Sequence, residues 1–392
     1  MRDEIQSLPG SLIREVANAA MGRDDVMPFW FGESDEVTAS AVREAAARSL
    51  QAGETFYAHN LGLPALRQAI AEYVGRLHQA VDVQRVAVTS SGVSALMLAA
   101  QMLVGAGDEV VAVTPVWPNL TAQPLILGGH VTRLPLRSSE GRWWLDLDEL
   151  RSVVTTSTRV LLVNAPNNPT GWTLTQGEIK SILHHCRSTG TWVVSDEVYE
   201  RLYYGPGAAA PSFLDVATPQ DRVVVVQSFS KSFLMTGWRL GWLVVPDGAV
   251  DALGKLIEFN SSCAPVFVQR GALQALEGAS ASVEPLRRHF QACRDLLVEG
   301  LAQMPGVEVS SPVGGMYAFF RVDGVSDSLA YAKHLVLHHG LGLAPGSAFG
   351  DEGQGWLRWC FASRDLQRLR RGLDRMLGAV HAGVPPQATG VG

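Results

Sequence analysis

Short apolar runs recur along the middle of the chain, and amphipathic stretches lie between them. Val110–Val113, Val160–Val163, Trp192–Val194 and Val223–Val226 are of strand length and rich in β-branched residues. Each is bounded by Gly, Pro, Asn or Asp. Runs apolar at consecutive positions read as strands covered on both faces, as in parallel α/β sheets. Leu145–Val154 and Thr175–Arg187 carry helical spacing instead. This alternation predicts a mostly parallel sheet with right-handed crossovers.

From about residue 285 the pattern changes. A helix is followed by short strands at Val307–Ser310 and Met316–Arg321, then a helix, the strand Trp356–Phe361 and a last helix. This predicts a smaller α+β domain. Residues 1–40 are loop-rich, with Pro9, Gly10, Pro28 and Gly32. The expected partition is a large domain over 41–284 and a small domain formed by 285–392 with the N-terminal segment 1–40. The tail from His381 to Gly392 is rich in Gly, Pro and small residues and is expected to fray.

Composition narrows the function classes. The 47% hydrophobic and 18% charged residues are those of an ordinary globular protein, not a disordered one. A formal net charge of −6 argues against a nucleic-acid partner, which leaves a basic footprint. Cys186, Cys263, Cys293 and Cys360 are far apart and form no CxxC, so neither a zinc site nor a disulfide framework is expected. No apolar run reaches membrane-spanning length. The opening MRDEIQSLPG lacks the basic-then-apolar order of a signal peptide. A reduced, cytoplasmic setting is the expectation. Only four of the 32 basic residues are lysine: Lys180, Lys231, Lys255 and Lys333. Any chemistry that needs a primary amine must choose among them.

Ligands in parallel α/β sheets bind at the carboxyl ends of the strands. Two nucleotide motifs fail there. Gly105-Ala-Gly107 has Val at position 110, so GxGxxG is incomplete. Gly254-Lys255 has Ala at 249, so there is no Walker A loop. The remaining strand ends carry polar residues. Val223–Val226 leads into Gln227-Ser228-Phe229-Ser230-Lys231. The other three lysines lie in amphipathic segments, which suits a solvated face. Lys231 is either an anion-binding loop lysine or a Schiff-base lysine, whose amine must lose its charge readily. Arg239 suits a phosphate or carboxylate clamp, or a structural ion pair. Trp192–Val194 leads into Ser195-Asp196-Glu197-Val198-Tyr199. Asp196 either caps the next turn or faces a cationic heteroaromatic nitrogen, and Tyr199 is placed to point the same way. Asn164, Asn167 and Asn168 follow Val160–Val163, as turn formers or as directional donors. Trp117, held between Pro115-Val116 and Pro118, packs in the core or stacks on a planar ligand. Ser90-Ser91-Gly92-Val93 opens a helix and forms an N-cap or an anion site.

Taken in order, these segments resemble the fold-type-I pyridoxal-5′-phosphate enzymes, specifically the class I/II aminotransferases of the aspartate aminotransferase superfamily. The resemblance runs from about Gly32 to Arg358. It is carried by Asn168-Pro-Thr-Gly, Asp196-x-x-Tyr199, and Ser228-Phe-Ser-Lys231 with Gly-Trp-Arg239. It implies a seven-stranded, mostly parallel sheet and pyridoxal phosphate as cofactor. Lys231 resembles the Schiff-base lysine that moves the Cα proton. Asp196 resembles the partner of the ring nitrogen, and Tyr199 and Asn168 the donors to the ring oxygen. Trp117 resembles the stacking aromatic. Ser91, Gly92, Val93, Ser228, Ser230 and Arg239 resemble the phosphate cup. Arg358 and Gly32, with Trp117 and Asn168, resemble the residues that meet the substrate carboxylate. Tyr57 resembles a tyrosine that reaches the phosphate of a neighbouring subunit, which implies a homodimer. The implied reaction moves an amino group from an L-amino acid to a 2-oxo acid by a ping-pong route. C–S lyase or decarboxylase chemistry on the same scaffold is the alternative, and a non-catalytic sensor a more distant one.

Two departures bear on subgroup. Gly32-Glu33-Ser34-Asp35 lacks the Gly-x-Pro-Asp-Phe of many relatives, and Ser90-Ser91-Gly92-Val93 also differs in wording. Phe29, Trp30 and Phe31 precede the first departure and are expected to pack rather than line a pocket. His334 and His338 lie one helical turn apart without HExxH, so no metal site is expected. Asp146, Asp148 and Glu149 read as cap and dipole residues.

Overall fold

The computed structural model describes residues 1–384. Its centre is a seven-stranded sheet in the order Val86–Thr89, Gly241–Val244, Val223–Ser228, Trp192–Asp196, Thr158–Asn164, Glu109–Thr114 and His130–Pro135. Gly241–Val244 runs antiparallel to both neighbours, and the other pairings are parallel. The consecutive apolar runs have a simple cause. Side chains alternate across a strand, so each run feeds two cores. Val111, Val113, Leu161, Val163, Val193, Val223 and Val225 belong to the cluster on one face. Val110, Ala112, Val160, Leu162, Val194, Val224 and Val226 belong to that on the other. Full burial of each such side chain stabilises by roughly 1.5–3 kcal/mol. A polar residue at any of these positions would lose that and leave an unpaired group.

The helices form where the spacing placed them. Thr175 caps Gln176–Thr189 with a capping box to Glu178, and Gly190 ends it at φ +74. Asp146 caps Leu147–Val153, accepting from Asp148 N and Glu149 N. His334 and His338 lie side by side on Ser328–His339 with tilted rings 4.6 Å apart, and no metal-binding cluster occurs among the described residues. No described helix is long and apolar enough to cross a membrane.

A second, four-stranded sheet has the order Val307–Val309, Tyr317–Val322, Trp356–Cys360, Ala344–Pro345. A third apolar cluster covers it and gathers Ile13, Val16, Phe29 and Trp30 with residues such as Phe290, Phe320, Trp359 and Leu369. Met27–Pro28 pairs in parallel with Leu341–Gly342. One expectation fails at the C-terminus. The last helix runs Leu366–Ala382 and includes His381, because Leu369, Gly372, Met376 and Ala379 are buried along one stripe. The rest of the tail expected to fray, residues 385–392, lies outside the described residues.

One turn links the fold to the site. Asp196–Arg201 follows the central strand, and its charged residues point both ways. Asp196 and Tyr199 face a cavity, described below. Glu197, Glu200 and Arg201 are also buried, and each is held. Glu197 accepts from Ser195 Oγ (2.8 Å), Ser212 Oγ (2.5 Å) and Phe213 N (3.2 Å). Arg201 donates to Tyr73 Oη at 2.8 Å. His78, just past the helix Pro64–Leu77, lies between Glu200 Oε2 (3.0 Å) and Asp215 Oδ1 (2.8 Å). Burial alone would depress the His78 pKa, but the two carboxylates outweigh it and push it up to about 10. A folded value above the ordinary 6.5 means that the protonated ring favours the folded chain. That contribution is complete below pH 6.5 and disappears as the pH rises through 10. His78→Gln should therefore cost about 3 kcal/mol near pH 6.5, the scale for breaking a buried pair. Thermal melts of both proteins across this range should show the difference shrinking toward pH 10, and a constant difference would refute the charge assignment.

Candidate active site

Five strand ends and two strand starts meet at a cavity of about 560 Å³. Lys231 sits in the loop after Val223–Ser228. Its neighbours two positions either side, Phe229 and Phe233, are buried in the core and meet at a tilt with centroids 5.3 Å apart. They fix the backbone, so the lysine between them projects the other way. Its Nζ donates to Gly32 O at 2.5 Å and lies 5.7 Å from the Tyr199 ring. Burial lowers its pKa from 10.5 to about 8. The other three lysines lie outside this cavity, and Lys333 pairs with Glu15.

Asp196 is 3% exposed, and its carboxylate is met by Val198 N at 3.4 Å. Burial raises its pKa to about 7, against the opposing influence of that N–H and of Lys231. A buried carboxylate with so little compensation calls for a donor from the cavity side. Asn164 sets the loop beyond the adjacent strand. Its Nδ2 donates to Asp196 O (3.0 Å), and its Oδ1 accepts from Asn168 N (2.7 Å). Gly171 closes that loop at φ +70, where a Cβ would come 2.2 Å from Pro312 Cβ. Trp117 N donates to Asn168 O at 2.9 Å, which brings the indole over the same cavity.

Arg358 is 2% exposed, and no carboxylate pairs with it among the described residues. Its Nη1 donates to Asn168 Oδ1 at 2.9 Å and its Nη2 to Trp30 O, while Nε is unpartnered. The guanidinium lies over the Tyr317 ring (4.4 Å) and the Phe349 ring (4.8 Å). Gly32 is glycine for a local reason: a Cβ there would sit 2.0 Å from Tyr317 Oη.

Opposite Arg358 lies a cradle for an anion. Gly92 and Val93 open the twelve-residue helix Gly92–Leu103 and line the cavity with Ser228, Ser230 and Arg239. Free N–H groups and the helix dipole favour negative charge there. Arg239 has no carboxylate partner among the described residues; it donates to Thr236 O (2.6 Å) and Ser230 Oγ (3.4 Å). Three non-glycine residues in this edge have positive φ: Ser91 (147), Leu234 (55) and Arg239 (54). Such conformations persist where surrounding contacts over-determine them. Thr38 supplies one, donating to Leu234 O (2.6 Å) and accepting from Trp238 Nε1 (3.0 Å).

Most of the residues expected at this cavity converge on it. The Ser91 hydroxyl oxygen caps the helix, accepting from Ser94 N at 2.9 Å, and the residue does not line the cavity. Tyr57, expected at the phosphate of a neighbouring subunit, is 88% exposed and does not line this cavity. The aromatic triplet divides: Phe29 and Trp30 pack in the core as expected, while Phe31 lines the cavity under the Arg14 guanidinium (5.9 Å). Tyr317, Glu33, Arg14 and Ile13 also line it and were not singled out from the sequence. Nothing local marks Tyr317, whose Met-Tyr-Ala-Phe-Phe setting reads as core.

A planar cofactor with a ring nitrogen, a ring oxygen and a phosphate fits these groups. The uncompensated carboxylate, the unpaired arginine and the helix N-terminus each lack what such a molecule offers. Set beside known proteins, the fold and this donor set place the chain among the pyridoxal-phosphate-dependent transferases. A model of the class I and II aminotransferase family matches residues 24–376, and the chain belongs to that family. It is 31% identical to the aspartate aminotransferase of Pyrococcus horikoshii over 93% of both chains. It is 34% identical to an arginine–pyruvate transaminase of Pseudomonas aeruginosa, covering 88% of this chain and 87% of that one. The crystal structure of the Thermotoga maritima aspartate aminotransferase superposes with a TM-score of 0.90 at 32% identity, over 97% of this chain and 100% of that one. The protein is a pyridoxal-phosphate-dependent aminotransferase.

Burial makes the Lys231 amine available near neutrality. In cofactor-free protein its acetylation, followed by peptide mass spectrometry, should rise with a midpoint at about pH 8. A midpoint near the ordinary 10.5 would show that the amine is solvated.

Proposed function

We propose that the chain transfers the amino group of an L-amino acid to a 2-oxo acid in two half-reactions at this one cavity, with Lys231 as the proton carrier. The observation that carries this reading is the convergence of Lys231, Asp196, Tyr199, Asn168 and Arg358 on a single cavity. Pyridoxal phosphate, when bound, supplies an aldehyde that takes up the amino group and a ring that draws electron density from Cα.

The residues divide the work. Gly92, Val93, Ser228, Ser230 and Arg239 hold the phosphate, with Arg239 as a charge-assisted clamp. Asp196 accepts from the ring nitrogen, and the low dielectric around it strengthens that bond. Asn168 Oδ1 already accepts from Arg358, so its Nδ2 is left to donate toward the ring oxygen. Tyr199 donates to the same oxygen. Trp117 covers the ring face. Arg358, with Gly32 beside it, receives the substrate carboxylate in a planar two-point grip. Lys231 then moves a proton between its Nζ and the substrate Cα, a task suited to an amine whose pKa burial has lowered.

Relatives are named for aspartate, aromatic amino acids and arginine as donors, and one for pyruvate as acceptor. The mouth of this cavity carries both signs, Arg14 and Glu33, beside Phe31 and Ile13. Phe56, Tyr57 and Phe259 are each more than 80% exposed. An apolar surface of this kind suits a second copy of the chain, with Tyr57 reaching the partner's phosphate. Sedimentation equilibrium should return twice the chain mass, and a monomer active at the same concentration would refute the shared site.

Borohydride treatment of the loaded enzyme should fix the cofactor mass on the peptide that carries Lys231. Labelling at Lys180, Lys255 or Lys333 would refute the assignment. Release of ammonia and a 2-oxo acid without any 2-oxo acceptor would favour lyase chemistry instead. Arg358→Ala should raise KM for the amino donor by roughly ten- to a hundredfold, the loss of a charge-assisted pair of ~1.5–3 kcal/mol, with cofactor still retained.

A further inference from the structure

Tyr317 joins the two ends of the cavity, and none of the roles above uses it. It is 1% exposed and lies on the strand Tyr317–Val322, antiparallel to Trp356–Cys360. In this register Tyr317 faces Cys360 and Phe319 faces Arg358, so Tyr317 and Arg358 are diagonal neighbours on one face of the sheet. The guanidinium carbon lies 4.4 Å from the Tyr317 ring centroid. At the other end of the same ring, Tyr317 Oη is 2.8 Å from Tyr199 Oη. The two rings meet edge-on at 80° with centroids 5.7 Å apart. The close approach of Gly32 pins the hydroxyl from a third side.

Proton counting sets the direction of the phenol pair. Each phenol has one proton to donate. If Tyr199 gives its proton to the ring oxygen of the cofactor, only its lone pairs remain for Tyr317. Tyr317 is then the donor of the 2.8 Å bond. A phenol that accepts one hydrogen bond while donating another is polarised into a stronger donor. The cation against the Tyr317 ring face draws density from that ring and acts in the same sense.

From this we infer that Tyr317 is a positioning residue with two separable roles. Its ring seats the Arg358 guanidinium, and its hydroxyl donates into Tyr199 so that the Tyr199 proton is aimed at the cofactor oxygen. The inference rests on the proposed role of Tyr199 as donor, so Tyr199→Phe is the control.

The test uses loaded enzyme and two readouts. One is the pH midpoint of the visible absorbance of the bound cofactor without substrate. The other is KM for the amino donor. A hydrogen bond to the anionic oxygen favours the deprotonated form, so weakening it moves the midpoint upward. Tyr199→Phe should move it upward. Tyr317→Phe, which keeps the ring, should move it upward by less and leave KM within about twofold. Tyr317→Leu, which loses the ring as well, should give the same midpoint as Tyr317→Phe and raise KM by about fivefold or more. A Tyr317→Phe midpoint equal to wild type, with Tyr199→Phe shifted, overturns the hydroxyl role while leaving Tyr199 as donor. An unshifted Tyr199→Phe overturns the donor reading and with it the hydroxyl role. Equal KM values for Tyr317→Phe and Tyr317→Leu overturn the ring role. Lower melting temperatures with both readouts unchanged would reduce Tyr317 to a packing residue and overturn the inference.

Discussion

The site is organised around one buried cation. Arg358 is almost fully removed from water, and no carboxylate answers it among the described residues. Desolvating a guanidinium costs several kcal/mol unless the surroundings compensate. Here compensation is deliberately incomplete: an amide oxygen, a backbone carbonyl, two aromatic faces and one idle Nε. A resident carboxylate would satisfy the arginine better and abolish its affinity for a substrate carboxylate. The neighbours follow from that choice. Trp30 O comes from the N-terminal segment, Asn168 from a strand end of the large sheet, and Tyr317 and Phe349 from the second sheet and the turn beside it. One residue therefore ties together three parts of the chain far apart in sequence.

The same low dielectric acts on two other groups with opposite formal charge. It pushes Asp196 up to about 7 and Lys231 down to about 8, so each is driven toward its neutral form. Perturbed groups of this kind gathered in one cavity mark a functional site more strongly than either alone. Their stability cost is met elsewhere. The back of the Asp196–Arg201 turn is fully partnered, through His78, Ser212 and Tyr73, and the flanking Phe229 and Phe233 anchor the lysine loop in apolar core. Positive φ at Ser91, Leu234 and Arg239 adds backbone strain to the same edge.

Much of this was legible because it is periodic or sits at a strand end. The four valine-rich runs form the central strands, since residues buried on both faces leave an unbroken apolar signature. Lys231, Asp196 and Asn168 lie just past those runs, where polar residues stand out against the apolar pattern. The remaining site residues depend on contacts that no local pattern encodes. Tyr317 is one aromatic in an aromatic strand, and its hydroxyl matters only because Tyr199, 118 positions earlier, lies 2.8 Å away. Phe31 differs from Phe29 and Trp30 only in which way a loop turns it. Ser91 resembles a phosphate ligand because a helix cap and an anion site call for the same small hydroxyl residues; its oxygen accepts from Ser94 N and the residue does not line the cavity. The reason for Gly32 is likewise invisible until Tyr317 Oη is placed against it.

The single antiparallel strand of the large sheet explains how so few residues suffice. A parallel strand after Ser228 would begin at the opposite edge of the sheet, so its lead-in would not pass the cavity. Gly241–Val244 instead turns straight back, so the residues just before it lie at the same edge as those just after Ser228. Lys231 and Arg239, eight positions apart, are thereby delivered to one cavity from a single loop. The return demands close packing: a Cβ on Gly241 would come 2.6 Å from both Gln227 O and Gly92 N. That contact seats the antiparallel strand directly against the helix start that cradles the anion. Reversing one strand thus places the amine and the clamping arginine in one loop, packed against the helix N-terminus that begins at Gly92. The rest of the sheet then supplies the carboxylate, the amide and the stacking indole from parallel strand ends.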